Sequence, residues 1–568
     1  MNFNTKGDSA ITYDAIVVGS GISGGWAAKE LCEKGLKTLM LERGGMVVHP
    51  NYPTANDDPW DYENRGMVSK EELRKYPVQD RTGYTIREST KHWWVNDLEN
   101  PYTEKKRFDW IRGYHVGGRS IMWGKQSYRL SDLDFEANLK DGIGVDWPVR
   151  YKDIAPWYDY VEQFIGVSGQ AEGKPHLPDG KFQPPMEMNC VESHMRDKLM
   201  KNYTDRFMTI GRAAHITQGT IGSRGTCQYR NRCMRGCPYG AYFSSNSSTL
   251  PAAHATGNLT LRPNSVVYRV EYDDKTQRAT GVLIKDAETG EYIEYKAKVI
   301  FLCASALAST WILLNSTSAR FPYGMGADSG ELGHNLMDHH FRAGASGGID
   351  GFDDKYFKGR RPNGIYLMRF RNVTKDNSTS KFTRGYAYQG GASRSNWMRS
   401  VRELGIGAEI KDAMMAPGPW RMGLGGFAET LPYHENRIWI DHSRTDKYGM
   451  PVLAVDAEIK DNEYAMREDM KDSAAEMLEA SGFKDVSTYD GGSPLGLAIH
   501  EMGTARMGRD PDTSVLNGNN QVHAVPNVYV TDGAFMASSA CQNPSLTYMA
   551  FTARAANHAV DSLKNGDL

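Results

Sequence analysis

The sequence predicts an α/β protein in which a Rossmann-like nucleotide-binding domain is joined to a second domain. Its first residues alternate strand, glycine-rich turn, helix and strand, and later alternating stretches are typical of strands that return to the same sheet. A length of 568 residues also exceeds what one ordinary hydrophobic core organises. The net charge of -2 provides no general attraction to nucleic acid or to an anionic membrane, and we expect neither as a partner.

The opening unit consists of the strand AIVV at residues 15–18, a glycine turn, the helix ISGGWAAKELCEKG and the strand TLMLE at residues 38–42. Gly19, Gly21 and Gly24 occupy the G-x-G-x-x-G positions, where missing side chains allow a tight turn, close pyrophosphate approach and close helix packing. Glu42 ends the second strand, where a carboxylate accepts hydrogen bonds from a ribose hydroxyl. These residues predict a dinucleotide site.

The middle of the chain returns to the nucleotide domain more than once. GYHVGGRSIMWG at residues 113–124 is typical of a second strand-to-helix turn, and NLTLRPNSVVYRVEYD and ATGVLIKDAETGEYIEYKAKVIFLC indicate paired strands. An amphipathic helix is expected near YAMREDMKDSAAEMLEASG. We therefore assign residues 10–50, 105–145, 225–345 and 492–565 to a discontinuous nucleotide-binding domain, and residues 51–104, 146–224 and 346–491 to a substrate-binding domain and its excursions.

The C-terminal part carries a candidate acid-base site. IHEMGTARMG at residues 499–508 contains His500, whose neutral imidazole suits general-base work near pH 7. Asn543 is a good helix N-cap and Pro544 a good first helical residue, which would place the positive end of a helix at a cofactor. Purely structural roles remain open, because a histidine beside a Gly-Thr turn often only satisfies that turn and Asn543 can serve as a cap alone.

Cys227, Cys233 and Cys237 lie within eleven residues, in the segment GTCQYRNRCMRGCPYG. A disulfide with one remaining thiol is one interpretation, but the N-terminus has no apolar export signal and no twin arginine, and cytoplasmic folding disfavours it. A zinc site is a second interpretation, but this segment offers no fourth ligand. Three thiolates match a 3Fe-4S cluster. The surrounding arginines could support such a cluster or dock an electron acceptor; they are Arg224, Arg230, Arg232 and Arg235.

Membrane insertion is not expected. The longest uncharged run, residues 299–314, is shorter than the roughly 20 residues that a membrane span requires, and it contains several Ser and Thr residues. It favours a buried strand that leads into a helix of small residues. We predict no transmembrane segment.

Separated motifs give the chain a family resemblance. VVGSGISGG, VGGRSIMWG, SGELGHNLMDHH, HEMGTARMG and NPSLTYMA resemble, in this order and over essentially the whole chain, the glucose-methanol-choline (GMC) flavin oxidoreductases. The resemblance implies a p-hydroxybenzoate hydroxylase-like FAD domain with an α+β substrate domain on an antiparallel sheet. The FAD-binding residues it implies are Gly19, Gly21, Gly24, Glu42, Gly117, Gly118, Ser120, Val267, Asp532, Asn543, Pro544 and Ser545.

The same resemblance implies the chemistry. His500 would take the proton of a substrate hydroxyl while the carbon delivers hydride to the flavin, and Asn543 would occupy the second catalytic position. Some relatives attach the flavin covalently through a histidine, whereas the aligned position here is Met122, which predicts dissociable FAD. His115 is expected to be structural.

The motifs look most like the catalytic subunits of bacterial FAD-dependent glucoside 3-dehydrogenases, which carry a 3Fe-4S cluster. This implies oxidation of glucose or a glucoside, at C3, with electrons leaving through the cluster. The alternative substrate is gluconate, a polyol or another sugar, oxidised at a different carbon. Two other interpretations of the function are an oxidase that uses oxygen and an electron-transfer subunit that only carries cofactors. The implied partners are a small twin-arginine-tagged subunit and a cytochrome c or another acceptor, with the protein periplasmic by co-export or cytoplasmic.

Overall fold

The computed structural model describes residues 3–83, 85–355, 364–394 and 406–568. Within them, an 8-stranded sheet has a parallel centre, as the Rossmann-like prediction requires. The order of the parallel strands across the sheet is Val525–Val530, Tyr292–Leu302, Thr12–Val18, Thr38–Leu41 and Leu259–Arg262. Ser265–Asp273 and Arg278–Asp286 continue the sheet as an antiparallel ribbon, and Gln521–Val522 lies at one edge.

The opening strand-turn-helix-strand unit is confirmed, with its helix at Ile22–Glu33. Gly19 has a φ of +94°, a left-handed conformation that glycine adopts without a steric penalty. At Gly24, a Cβ atom would lie 1.9 Å from the carbonyl oxygen of Gly19. Any larger residue at position 24 would therefore push the helix away from the turn.

The second sheet is 6-stranded, and every pairing in it is antiparallel, which confirms the expected substrate-domain architecture. Its order is Lys484–Asp490, Ala343–Ile349, Trp420–Ala428, Tyr386–Arg394, Ile365–Leu367 and Met208–Ile210. The predicted amphipathic helix forms at Asp461–Ala480 and buries Met466, Met470 and Met477 against this sheet. Each such buried side chain contributes roughly 1.5–3 kcal/mol to the free energy of unfolding.

The remaining elements are short or lie around these two sheets. Smaller sheets pair Arg437–Thr445, Pro451–Asp456 and Thr103–Glu104, and Val167–Ser168 with Ala213–Ala214. The other α-helices of the described residues are Lys70–Leu73, Pro77–Thr82, Asp132–Phe135, Ala137–Asp141, Tyr151–Ile165, Cys190–Asn202, Thr249–Ala255, Ala306–Asn315, Ala408–Met415 and Ser545–Asn565. Among the helices in the described part, not one combines the length and the apolar character that crossing a membrane demands.

Two local expectations are wrong. The segment 113–124 contains neither a strand nor an α-helix; a 3-10 turn at Gly118–Ile121 replaces them. The last helix begins at Ser545 with Pro544 as its N-cap residue, so Asn543 lies one position too early to cap it. The side chain of Asn543 bonds instead to a residue of the antiparallel sheet, Gln389.

Candidate active site

A cavity of about 810 Å³ follows the carboxyl ends of the central parallel strands. Gly19, Glu42 and Asp532 each come shortly after the end of one of these strands, and all three line the cavity. Open parallel sheets bind their ligands at this edge. The volume also falls within the range of cofactor sites, about 300–1,000 Å³.

One end of the cavity has the geometry of a dinucleotide cradle. A Cβ atom on Gly21 would meet no other atom within 4 Å, so the turn opens directly onto the cavity. The Glu42 carboxylate accepts hydrogen bonds from the Ser20 backbone N–H at 3.0 Å, from Ser20 Oγ at 2.6 Å and from the Gly44 N–H at 3.0 Å. Burial raises the pKa of Glu42. These contacts fix the acidic wall against the glycine turn.

Most of the predicted cofactor residues share this cavity. Those that line it are Gly19, Gly21, Glu42, Gly118, Ser120, Val267, Asp532, Asn543 and Ser545, together with His500. Gly24, Gly117 and Pro544 are not among its lining residues. Gly117 packs against Asn246, whose Oδ1 would lie 1.7 Å from a Cβ atom there. The glycines at 24 and 117 therefore shape the turns behind the wall, and the residues present fit a bound FAD.

The opposite end of the cavity combines aromatic walls with a few polar groups. Phe341 and Phe427 stack with ring centroids 5.0 Å apart, and the His500 ring lies 6.1 Å from Phe427. Gln389 Nε2 donates to Asn543 Oδ1 at 2.7 Å, and both residues line the cavity. Flat apolar faces beside hydrogen-bonding groups suit a polyhydroxylated ring.

The segment that carries His500 is held by one buried carboxylate, that of Asp338. Oδ1 accepts from the backbone N–H groups of His339 and His500 at 2.9 and 3.0 Å. Oδ2 accepts from those of Gly496 and Ala498 at 2.7 and 3.1 Å. Each oxygen thus accepts two bonds, which leaves no lone pair for a proton, so we assign the ionised form.

Burial and the nearby Glu501 carboxylate raise the pKa of Asp338, whereas the N–H groups of His500, Ala498 and Gly496 lower it by stabilising the ionised form. The Glu501 carboxylate is itself paired with Arg119, whose Nη1 and Nη2 donate at 3.1 and 2.9 Å. Arg119 belongs to the 3-10 turn at Gly118–Ile121. This ion pair therefore joins the turn that lines the cavity to the segment that carries His500.

His500 also contacts a second buried histidine. Its Nδ1 lies 2.9 Å from Nδ1 of His339, and Nε2 of His339 lies 2.9 Å from the carbonyl oxygen of Ala540. Burial, His339 and Arg119 lower the pKa of His500 well below its usual range. The imidazole at position 500 is therefore neutral near pH 7, as a general base must be.

The positive end of the last helix lies at the same cavity. Ser545 and Tyr548, in its first turn, line the cavity wall. A helix N-terminus favours negative charge nearby. The positive helix end that the sequence predicts at the cofactor site is therefore present, although the side chain of Asn543 does not cap the helix.

The cysteine segment approaches the cavity from another side. Cys233 lines the cavity, whereas Cys227 and Cys237 are partly exposed outside its lining. No disulfide links any of the seven cysteines, all of which belong to the described residues. The buried guanidinium of Arg224 faces the Cys237 thiol and donates to the Gly240 carbonyl at 2.8 Å.

Lys125 is a fully buried lysine in the wall of the cavity. Burial lowers its pKa well below the usual range of a lysine, and negative charge on Cys233 and Cys237 would raise it. Its Nζ donates to the carbonyl oxygens of Ser120, Ile121 and Trp123 at 3.0, 3.4 and 3.2 Å. Three acceptors match the three N–H donors of an ammonium group.

The three remaining arginines of the segment have structural partners. Arg230 donates to the Ala55 carbonyl, Arg232 to the Asp58 carboxylate, and Arg235 to the Asp57 carbonyl at 2.8 Å. These bonds attach the cysteine segment to residues 54–58. They do not support the interpretation of these arginines as unengaged docking charges.

Sequence reasoning assigned no role to several residues of the site: Asp338, His339, Gln389, Arg119 and Lys125. Asp338 and His339 lie within the quoted motif SGELGHNLMDHH, and adjacent Asp and His residues there were a usable signal. Gln389 lies in the middle of a strand and Lys125 follows a turn, and neither position carries a recognisable pattern. Only the fold brings Gln389 and Lys125 to the cavity.

Comparison with known proteins agrees with this geometry. Family models described as GMC oxidoreductase match residues 13–341 and 432–552. The 2-methyl-1,2-propanediol dehydrogenase of Mycolicibacterium austroafricanum is 27% identical, covering 97% of this chain and 95% of that protein. The fructose dehydrogenase large subunit of Gluconobacter japonicus is 24% identical, with coverages of 98% and 100%. The fold is similar to that of a solved Aspergillus oryzae formate oxidase, with a TM-score of 0.58, 16% identity and coverages of 99% and 100%.

Alanine at positions 21 and 24 should separate cofactor binding from folding. In Gly21→Ala the new methyl group enters the cavity without a clash, so the apoprotein should keep its unfolding temperature while FAD affinity falls about tenfold or more. In Gly24→Ala the clash with Gly19 should lower the unfolding temperature of the apoprotein itself. Differential scanning fluorimetry and flavin titration measure the two effects. Equal losses of apoprotein stability in both variants would contradict this interpretation.

FAD should be released completely on acid precipitation. Met122 lines the cavity and is buried, and its thioether forms no stable bond to a flavin ring carbon under these conditions. All of the yellow colour should therefore appear in the supernatant, as measured by its absorbance. Flavin that stays with the precipitated chain would show a covalent link elsewhere.

Proposed function

Because the chain belongs to the GMC oxidoreductase family, whose members are flavoproteins that oxidise CH–OH groups, we propose that it is an FAD-dependent sugar dehydrogenase. Its substrate in this proposal is glucose or a glucoside, oxidised at C3 to the keto sugar. The observation that carries the proposal is that the neutral His500 imidazole and the Asn543 amide line the same cavity as the dinucleotide turn.

His500 and Asn543 divide the work on the substrate hydroxyl in this mechanism. Neutral His500 accepts the hydroxyl proton, and the Asn543 amide hydrogen-bonds the same oxygen. Bound FAD would accept the hydride from the carbon, so that C–H and O–H bonds break and a C=O bond forms. The turn at Gly118–Ile121 and the helix that begins at Ser545 would hold the flavin beside the two polar groups.

A sugar is favoured over a simple alcohol by the chemistry of the substrate end. Phe341 and Phe427 offer apolar faces, and Gln389 adds a further amide beside Asn543. Position C3 rests on the motif resemblance, in particular HEMGTARMG followed by SVLNGNNQV and ACQNPSLTYMA. Gluconate, a polyol or another sugar oxidised at a different carbon is the second candidate, since similar proteins are named for fructose and for a diol.

For the exit of electrons we propose a 3Fe-4S cluster on Cys227, Cys233 and Cys237. The donor set suits it, because three free cysteines without a disulfide are present, and Cys233 reaches the wall of the flavin cavity. The buried Arg224 guanidinium, which interacts electrostatically with Cys237, supplies positive charge near the thiols. Such a cluster would take electrons one at a time from the flavin and pass them outward.

The proposed assembly includes a small twin-arginine-tagged subunit and a cytochrome c or another electron acceptor. It is supported by the name of the fructose dehydrogenase relative, which is a large subunit. Co-export with such a partner would place this chain in the periplasm; a cytoplasmic location is the alternative.

A substrate screen with a dye acceptor tests the proposal. We expect glucose and methyl glucosides to reduce the dye faster than gluconate, fructose or 2-methyl-1,2-propanediol, and NMR of the product to show a ketone at C3. A product oxidised at another carbon would overturn the C3 assignment. Equal rates with oxygen alone would indicate an oxidase.

His500→Gln should lower the turnover number about 100-fold or more while it retains FAD, because the general base is lost.

The cysteine proposal is tested with Cys233→Ser, and Cys190→Ser serves as the control. The wild-type protein and the control should contain about three iron atoms and about four acid-labile sulfide ions per FAD, as a 3Fe-4S cluster requires. Cys233→Ser should lose the iron and the transfer to large acceptors, yet sugar should still bleach its flavin under anaerobic conditions. An iron-free wild-type protein with full acceptor activity would contradict the cluster.

A further inference from the structure

We propose that His339 is a positioning residue that fixes the tautomer of His500 and leaves Nε2 of His500 as the unprotonated base atom. The inference rests on the proposed function, since it specifies how the general base is prepared. It follows from a chain of hydrogen bonds in which each proton has only one possible place.

The first link is the carbonyl oxygen of Ala540. A carbonyl oxygen can only accept, so the 2.9 Å contact requires that Nε2 of His339 carries a hydrogen. His339 is fully buried, and burial lowers its pKa to about 4. Near pH 7 the ring therefore holds one proton only, and that proton is on Nε2.

The second link is the contact between the two imidazoles. With its proton on Nε2, His339 presents a lone pair at Nδ1, which lies 2.9 Å from Nδ1 of His500. The rings are nearly perpendicular, at 87°, which suits an N–H pointing at an in-plane lone pair. Nδ1 of His500 must therefore be the donor. In neutral His500 this leaves Nε2 with the lone pair.

The alternative tautomer of His500 is disfavoured. It would bring two ring lone pairs together at 2.9 Å and remove the hydrogen bond between the partly buried His500 and the buried His339, at a cost of about 1–3 kcal/mol. The backbone cannot easily relieve this, since Ile499 has a φ of +64° and three N–H bonds to Asp338 hold the segment. The other charged groups near the ring, Arg119 and Glu501, are paired with each other.

The same bond also helps after proton transfer. When Nε2 has accepted the substrate proton, His500 is an imidazolium and its Nδ1–H becomes a charge-assisted donor to His339. The ring keeps its orientation throughout. His339 thus acts through His500 and does not itself contact the substrate in this arrangement.

Paired substitutions at position 339 test this role. Asn places its side-chain oxygen where Nδ1 of His339 lies, so His339→Asn keeps the acceptor for His500 but loses the bond to Ala540. Gln places its amide nitrogen where Nε2 lies, so His339→Gln keeps the bond to Ala540 and loses the acceptor. We expect kcat to fall about 10- to 100-fold in His339→Gln and His339→Leu and much less in His339→Asn, with similar KM and FAD content.

A measurement on the apoprotein reads the tautomer directly. In protein labelled with 15N-histidine, the His500 signals are identified by their absence from His500→Gln. Wild type and His339→Asn should show a protonated Nδ1 and an unprotonated Nε2, and His339→Gln should show a tautomer mixture. An activity order of Gln above Asn, or a tautomer unchanged in all variants, overturns the inference. Full activity of His500→Gln would instead sink the proposed function, whatever the tautomer.

Discussion

The carboxylate of Asp338 is the constraint on which the site depends. It receives four backbone N–H bonds, three of them from residues 496–500, in a place without solvent contact. This segment includes Ile499, a β-branched residue in the left-handed region, a conformation that surrounding contacts must impose. Without the carboxylate, buried N–H groups would lose their partners, at roughly 1–3 kcal/mol each.

The rest of the catalytic end is built on this segment. Asp338 fixes the backbone of His500, and the neighbouring His339 fixes the ring, so adjacent residues control both parts of one histidine. The pair of Arg119 and Glu501 then connects the segment to the turn that lines the flavin end. The position, tautomer and electrostatic environment of His500, the proposed base, thus depend on polar contacts to buried residues.

The cysteine segment shows a different solution, because it is irregular and partly exposed. Its arginines bind carbonyl and carboxylate groups of residues 54–58, and its buried Arg224 holds the Gly240 carbonyl. Cys233 of this segment lines the cavity directly. Positive charge is therefore held in place around the thiols, which suits thiolate ligands and a route for electrons toward the surface.

The sequence by itself determined the family, the Rossmann-like unit and most of the cavity wall, because glycine turns and strand ends have local patterns that survive without tertiary context. It did not determine the role of Asn543, whose cap propensity is overridden by a hydrogen bond from Gln389 of a distant strand. His339 likewise gains its role only from partners far along the chain, Ala540 and His500. The packing of the two sheets brings such partners together, and the spacing of residues in the sequence does not predict that packing.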